Sequence, residues 1–272
     1  MVDDGSGKIK TWRIENFEKV EVTDEKLLGQ FFQGDSYIIL YTYKDSVGKE
    51  LYIVYYWQGL DSTQDELGAS ALLAKGIDDE LGGQATVVRV VENKEPDHFL
   101  ALFKGKFIIH RGGVDSGFKS KEGVHEGYVF SFFQFSGLKT SWATHSKQGG
   151  GDKALYNIHG TNLYNTKATE VDFSAKSLNS TDAFALIDKK GQSFVWFGKG
   201  ATGDERNMAK AVAERLVNAK SIETVFEGSV SDTTPPEECS MCFFLFEMKF
   251  TGEKGLLGCP RWKGGVPHHR QP

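Results

Sequence analysis

The sequence predicts an α/β (α+β) protein made of two copies of one module, each a central mixed β-sheet between a long and a short helix. Three observations carry this expectation. Residues 34–66 contain "GDSYIILYTY", "IVYYWQG" and "STQDEL", and residues 181–206 contain "TDAFALID", "SFVWFGKG" and "ATGDER" in the same order, which is an internal repeat. In both copies an Asp opens an apolar strand (Asp35, Asp182), a Trp ends the next one (Trp57, Trp196), and a Glu follows that Trp by nine residues (Glu66, Glu205). The runs "SYIILYTY" and "LYIVYYW" lack polar alternation, as strands covered on both faces do.

The first copy is expected to run as strand 9–22, hairpin 36–58, long helix 64–81, strand 86–92, short helix 96–103 and strand 107–111. Its hairpin carries the longer turn "KDSVGKE", and the second copy uses the tight "KKG"; the loop varies while the frame does not. The strands ahead of the hairpins correspond as well, "KTWRIENFEKVEV" against "KALYNIHGTNLYNTKATEV". On the long helix Leu67, Ala71, Ala74, Ile77 and Leu81 recur at helical spacing and are expected to face the core. Leu73 reads as widening that buried face. Leu72, off the stripe, is the candidate for a partner contact. The expected boundaries are 8–114 and 153–230 for the modules, 115–152 for a linker or insertion, and 231–272 for a diverged tail.

Composition narrows the function classes. Of 272 residues 39% are hydrophobic and 25% charged, enough apolar material for real cores. A net charge of −5 argues against a nucleic-acid binder. No apolar run approaches the ~18 residues of a membrane span, and the N-terminus lacks a signal peptide's apolar core; no transmembrane segment is expected. Cys239, Cys242 and Cys259 all fall in the last 34 residues, which favours a reducing cytoplasm over a disulfide-built secreted fold.

Residues 198–210, "GKGATGDERNMAK", contain G-x-G-x-x-G at Gly198, Gly200 and Gly203, and Glu223 lies 20 residues beyond. That is the dinucleotide-binding pattern. The repeat argues against it, because the first copy has "WQGLDSTQDE" there and keeps only Gly59. The strand 192–197 is expected to be the second arm of a hairpin and not the opening of a parallel βαβ unit. Asp204 and Glu205 also bring negative charge to the helix start, where a pyrophosphate would sit. A nucleotide-dependent oxidoreductase is therefore the last of the readings, and no catalytic residue is assigned.

The repeated acids have two readings. Thr63-x-x-Glu66 and Thr202-x-x-Glu205 are capping boxes, in which the Glu returns to the N-cap amide. Alternatively Asp35 with Glu66, and Asp182 with Glu205, are hard oxygen donors for Ca²⁺, with no His or Cys expected nearby. Spacing alone leaves both open.

The segments "GQFFQGDSYIILYTY", "YYWQGLDSTQDELGASA", "LGGQATVVRVVENKEPDHFLALFKGK" and "SLNSTDAFAL…VWFGKGATGDERNMAK" resemble the gelsolin family, most closely the fourth and fifth segments of its villin and adseverin type. The resemblance covers roughly 9–113 and 153–230. It implies calcium-regulated binding to actin monomers and filaments, with severing or capping, acidic phosphoinositides as further ligands, and residence in the cytoplasmic actin cytoskeleton. The family's calcium site within a segment maps onto Gly34, Asp35, Glu66 and Val114, and in the second copy onto Thr181, Asp182 and Glu205. Its site shared with actin maps onto Asp78, Gly83 and Ala85. Glu66 and Asp78 are twelve residues apart, ~18 Å at 1.5 Å rise per residue. They cannot share an ion. The triple acid Asp78-Asp79-Glu80 opposes the helix dipole unless a cation sits there, which points the same way. A calcium-responsive scaffold without severing activity is the alternative.

Two stretches depart from the family. "YVFSFFQFSG" within 118–152 is aromatic for a linker, and reads as an extra strand or as poorly packing sequence. After "TVFEGSVSD" the chain runs "TTPPEECSMCFFLFEMKF" where a short helix and closing strand are expected. The tail's Cys239-x-x-Cys242, Cys259 and His268 or His269 lack a second tight knuckle for zinc, so loose thiols are the better reading.

Overall fold

A computed structural model describes residues 3, 5–113, 153–162, 164–188, 193–217 and 222–227. The expectations for Val114, the 115–152 insertion and the 231–272 tail with its cysteines lie outside the described residues. Five strands form the first sheet: β1 (Lys8–Glu15), β2 (Glu18–Glu21), β4 (Ser36–Lys44), β5 (Glu50–Gln58) and β6 (Ala85–Val91), in the order β2-β1-β4-β5-β6. Helix α1 (Gln64–Glu80) covers one face and α2 (Asp97–Ala101) the other. Strand alternation divides the residues between them. Ile38 and Val54 join Ala69, Ala74 and Ile77 of α1, while Tyr37, Ile39, Tyr41, Ile53, Tyr55 and Trp57 meet Phe99 and Leu100 of α2. Both faces are apolar because both are covered, as the unalternating runs predict.

The expected strand 9–22 is in fact a hairpin. Asn16 (φ 49°) and Phe17 (φ 68°) turn the chain between β1 and β2. Two consecutive positive φ values match the twist of the strands they join, but "NF" is not the Asn-Gly signal that would announce them. The core face of α1 also sits slightly off its expected phase. Ala69 and Ser70 are buried, Leu67 and Ala71 lie at the rim, and Leu73 packs into the core cluster.

The second sheet has the order β12-β11-β10-β8-β9-β7-β3, with β3 (Gln30–Phe32), β7 (Phe107–His110), β8 (Lys153–His159), β9 (Lys167–Val171), β10 (Ala183–Asp188), β11 (Ser193–Phe197) and β12 (Ile222–Phe226). Helix α3 (Gly203–Leu216) packs Met208, Ala209, Val212 and Ala213 on one face, against Ala183, Ala185 and Val195. Phe184, Leu186, Phe194 and Trp196 face the other way. The short helix expected for this copy falls outside the described residues.

Two strands of the first copy therefore belong to the sheet of the second. β7 pairs in parallel with β3 on one side and β9 on the other. All four of its residues are buried: Phe107 and Ile109 in the aromatic core of the first copy, Ile108 in the core of the second. One strand thus serves two cores. Polar contacts reinforce the junction. The Arg215 guanidinium donates to the carbonyls of Lys26 (2.6 Å), Lys106 (3.2 Å) and Leu28, and the Lys167 ammonium lies 2.7 Å from Glu95. His98 and His110 are buried against tyrosines: Tyr55 meets His98 at 2.6 Å and Tyr156 meets His110 at 2.9 Å.

Candidate metal and partner sites

At the start of α1 the Glu66 carboxylate returns to Thr63. Its Oε2 accepts from the Thr63 amide at 3.0 Å, and the Glu66 amide donates to Thr63 Oγ1 at 3.3 Å. The capping box is formed. It uses one carboxylate oxygen, so a cap and a ligand are not exclusive roles. Asp35, 8% exposed, stands where β4 begins. Its carbonyl accepts from Ser62 Oγ (2.6 Å) and the Gly59 amide (3.2 Å), which stitches the loop entering α1 to the start of β4. The Tyr37 hydroxyl donates to Asp35 Oδ2 at 3.3 Å, and burial pushes that phenol well above its usual range, so it remains a donor. Gly34 donates to the carbonyl of Gly112, and a Cβ on Gly113 would come within 2.6 Å of Asp35 Oδ1. The glycines after β7 let the backbone approach this carboxylate closely. The Asp35 and Glu66 carboxylates are hard oxygen donors, the type that suits Ca²⁺.

At the other end of α1, Asp78 is 7% exposed. Its Oδ1 accepts from the Ala85 amide (2.9 Å) and its carbonyl from the Gly83 amide (2.8 Å), so Asp78, Gly83 and Ala85 meet in one turn. Lys75 Nζ lies 2.7 Å from Asp78 Oδ2 and 2.8 Å from Asp79 Oδ1. Those two bonds, Lys75 first and Ala85 second, hold the Asp78 carboxyl below the usual carboxylate range. This corrects the dipole argument from sequence: the cation that tolerates the acids is already present as Lys75. Between the two ends Leu72 is 77% exposed. Gly68 and Gly76 lie one turn to either side, with open space where a Cβ would be. Each helical glycine costs about 0.5–1 kcal/mol relative to alanine; here the pair leaves Leu72 as an isolated apolar knob.

The second copy repeats the frame. Thr202 and Glu205 form a capping box, with Oε2 on the Thr202 amide at 2.7 Å. Gly198 donates to the Asp182 carbonyl (3.1 Å) as Gly59 does to Asp35. A Cβ on Gly198 would lie 2.5 Å from the Ser180 carbonyl oxygen, and on Gly59 2.1 Å from that of Gln33. Close backbone approach explains the one glycine that both copies share. The loop amides are also spent: Gly198 on Asp182, Lys199 on Glu227 Oε2 (2.9 Å), Gly200 on Ser180 (2.8 Å) and Thr202 on Glu205. Each of these four amides has a protein acceptor in place of a phosphate. β11 pairs in parallel with β12 across α3 as well as antiparallel with β10, which corrects the expectation that this strand opens no parallel unit; the occupied loop amides and the acids of the first helical turn are what oppose a phosphate there.

Asp182 and Glu205 come together with a residue that the repeat reading excluded. His159 Nδ1 lies 3.1 Å from Asp182 Oδ1 and 3.7 Å from Glu205 Oε1. The three groups form a cluster whose facing atoms all lie within 4.8 Å. β8 pairs antiparallel with β10 from Lys153 opposite Asp188 to Ile158 opposite Ala183, and His159 with Asp182 is the next rung. Only that register brings it to the acids, because His159 precedes Asp182 by 23 residues in the chain. Burial pushes the Asp182 carboxyl up, but bonds from Asn157, Asn179 and His159 together bring it below its ordinary value. The Thr181 hydroxyl adds a contact to Asp182 Oδ1 at 3.1 Å.

A sequence model described as the gelsolin repeat matches residues 18–100 and 165–234. Advillin of Mus musculus is 41% identical over 237 residues, 87% of this chain and 25% of advillin. Gelsolin of Xenopus laevis is 43% identical over 238 residues, 85% of this chain and 48% of that protein. Among solved structures, the Thorarchaeota 2DGel3/rabbit actin complex aligns with 25% identity and a TM-score of 0.31, over 83% of this chain and 96% of the other. The chain spans about a quarter to a half of the length of these two curated relatives. Among the described residues no helix is long and apolar enough to cross a membrane.

Proposed function

The chain belongs to the gelsolin-repeat family, and from that premise we propose that it is a calcium-regulated actin-binding protein, not an enzyme. It contributes to the severing or capping of filaments in the cytoplasmic actin cytoskeleton, with acidic phosphoinositides as further ligands. The observation that carries the reading is the outer face of α1, where the lone Leu72 knob stands between flat glycines. An apolar side chain isolated in this way suits insertion into a groove on a partner.

Calcium would be held at two places, and a third set offers carboxylates to a divalent ion. Gly34, Asp35 and Glu66, with Val114, supply the site of the first copy. Asp78, Gly83 and Ala85 supply a site completed by actin, where the ion takes over the role of Lys75 as the cation at the helix end. Thr181, Asp182 and Glu205 form the third set. What calcium contributes is charge neutralisation and a fixed oxygen cage; the chain contributes carboxylates already aimed by capping and loop bonds.

Calcium at the first set should stabilise the folded protein by mass action, by about 2.7 kcal/mol at a concentration 100 times Kd. Glu66→Gln should abolish most of that gain while keeping the cap, because Gln also serves at N3. Thermal melts with Ca²⁺ and with chelator read the difference. A variant that keeps the whole calcium shift would make Glu66 a cap and nothing more.

A further inference from the structure

We infer that the second copy's set takes a borderline divalent ion of the zinc type, through His159, in preference to calcium. The inference rests on the metal-site reading of Asp182 and Glu205 given above and changes the ion. Calcium is bound by oxygen alone, whereas an imidazole with two carboxylates is a zinc-type donor set. The spacing agrees. Metal–ligand bonds of 2.0–2.1 Å in a tetrahedron put neighbouring donors about 3.3 Å apart, and the imidazole nitrogen lies 3.1 and 3.7 Å from the two carboxylate oxygens.

The surroundings aim the donors in the way outer contacts aim metal ligands. Asp182 Oδ2 is held by Asn157 (2.8 Å) and Asn179 (2.9 Å), which turns Oδ1 to the imidazole. Glu205 Oε2 is held by the Thr202 amide, which turns Oε1 inward, where the Gly160 amide also reaches it at 3.0 Å. Asp182 and Glu205 are 8% and 2% exposed. The His159 side chain is 68% exposed and sits at the mouth, with solvent at hand for a fourth position. Two carboxylates and a neutral imidazole carry two negative charges, which one divalent ion balances.

The first copy does not share this chemistry. Arg13 lies opposite Tyr37 in β1, so the position matching His159 is Glu15, whose carboxylate is bound by the Arg13 guanidinium (Nε at 2.8 Å). One repeat offers oxygen only. The other adds nitrogen.

The test titrates the full 272-residue chain, with its cysteines alkylated, with Zn²⁺ and separately with Ca²⁺ by calorimetry. His159→Gln should bind one zinc ion fewer, or bind it more weakly by at least the roughly 10–100-fold that loss of an outer-shell partner costs. Its calcium titration should not weaken. His159→Asp, which makes the set all oxygen, should lower zinc affinity and raise calcium affinity. Co²⁺ should give the visible absorption of a tetrahedral site in the wild type and lose it in His159→Gln. Identical zinc titrations of wild type and His159→Gln overturn the inference, as does equimolar calcium displacing the zinc. Asp35→Asn, titrated with calcium alongside, reports on the first site; failure there leaves the zinc result standing, and the converse also holds.

Discussion

Phe31→Ala is expected to cost about 3–5 kcal/mol of stability, the range for emptying a buried aromatic site. Phe31 is fully buried. Its ring lies 4.3 Å from Tyr37, 4.9 Å from Phe107, 5.2 Å from Trp57 and 5.5 Å from Phe103, centroid to centroid. It is the hub of the aromatic core between the first sheet and α2. It also sits on β3, the last strand of the second sheet, so the cavity would open beside the strand that serves both cores. With a urea slope of about 1–3 kcal/mol/M, the unfolding midpoint should fall by at least ~1 M. A loss below about 1 kcal/mol would show that the neighbouring rings collapse into the space, and that the core is looser than these distances imply.

Leu72→Asp should do the opposite: leave the fold nearly unchanged and remove several kcal/mol of actin binding. At 77% exposure the side chain gives little to stability, and surface changes of this kind stay within about ±0.5 kcal/mol. In a desolvated groove the new carboxylate would be an unpaired buried charge. Melting curves separate the two effects. A variant that binds actin monomers as the wild type does would move the contact off this face; one that melts early would place Leu72 in the core after all.

Much of the frame was legible because it is local and occurs twice. The paired Thr-x-x-Glu boxes announce both long helices, and the two apolar hairpins announce the central strands. What was not legible depends on distant pairing. β3 has only three residues, "QFF", too few to show a period. β7 reads as a buried strand from "FIIH", but nothing in those four letters says that Ile108 packs in one core and Ile109 in the other. His159 was missed for a related reason. It precedes Asp182 by 23 residues, and only the register of β8 on β10 makes them neighbours. The acids themselves were legible as positions. Their partners, Lys75 at Asp78 and the imidazole at Asp182, had to be seen in three dimensions.

The most direct measurement is the affinity of the wild-type chain for actin monomers, at saturating calcium and in chelator. A calcium-regulated actin-binding protein should bind in calcium and lose at least about fivefold in chelator, the lower end of typical coupling between sites. A folded chain that binds no actin in calcium, or binds equally well without it, would contradict the account.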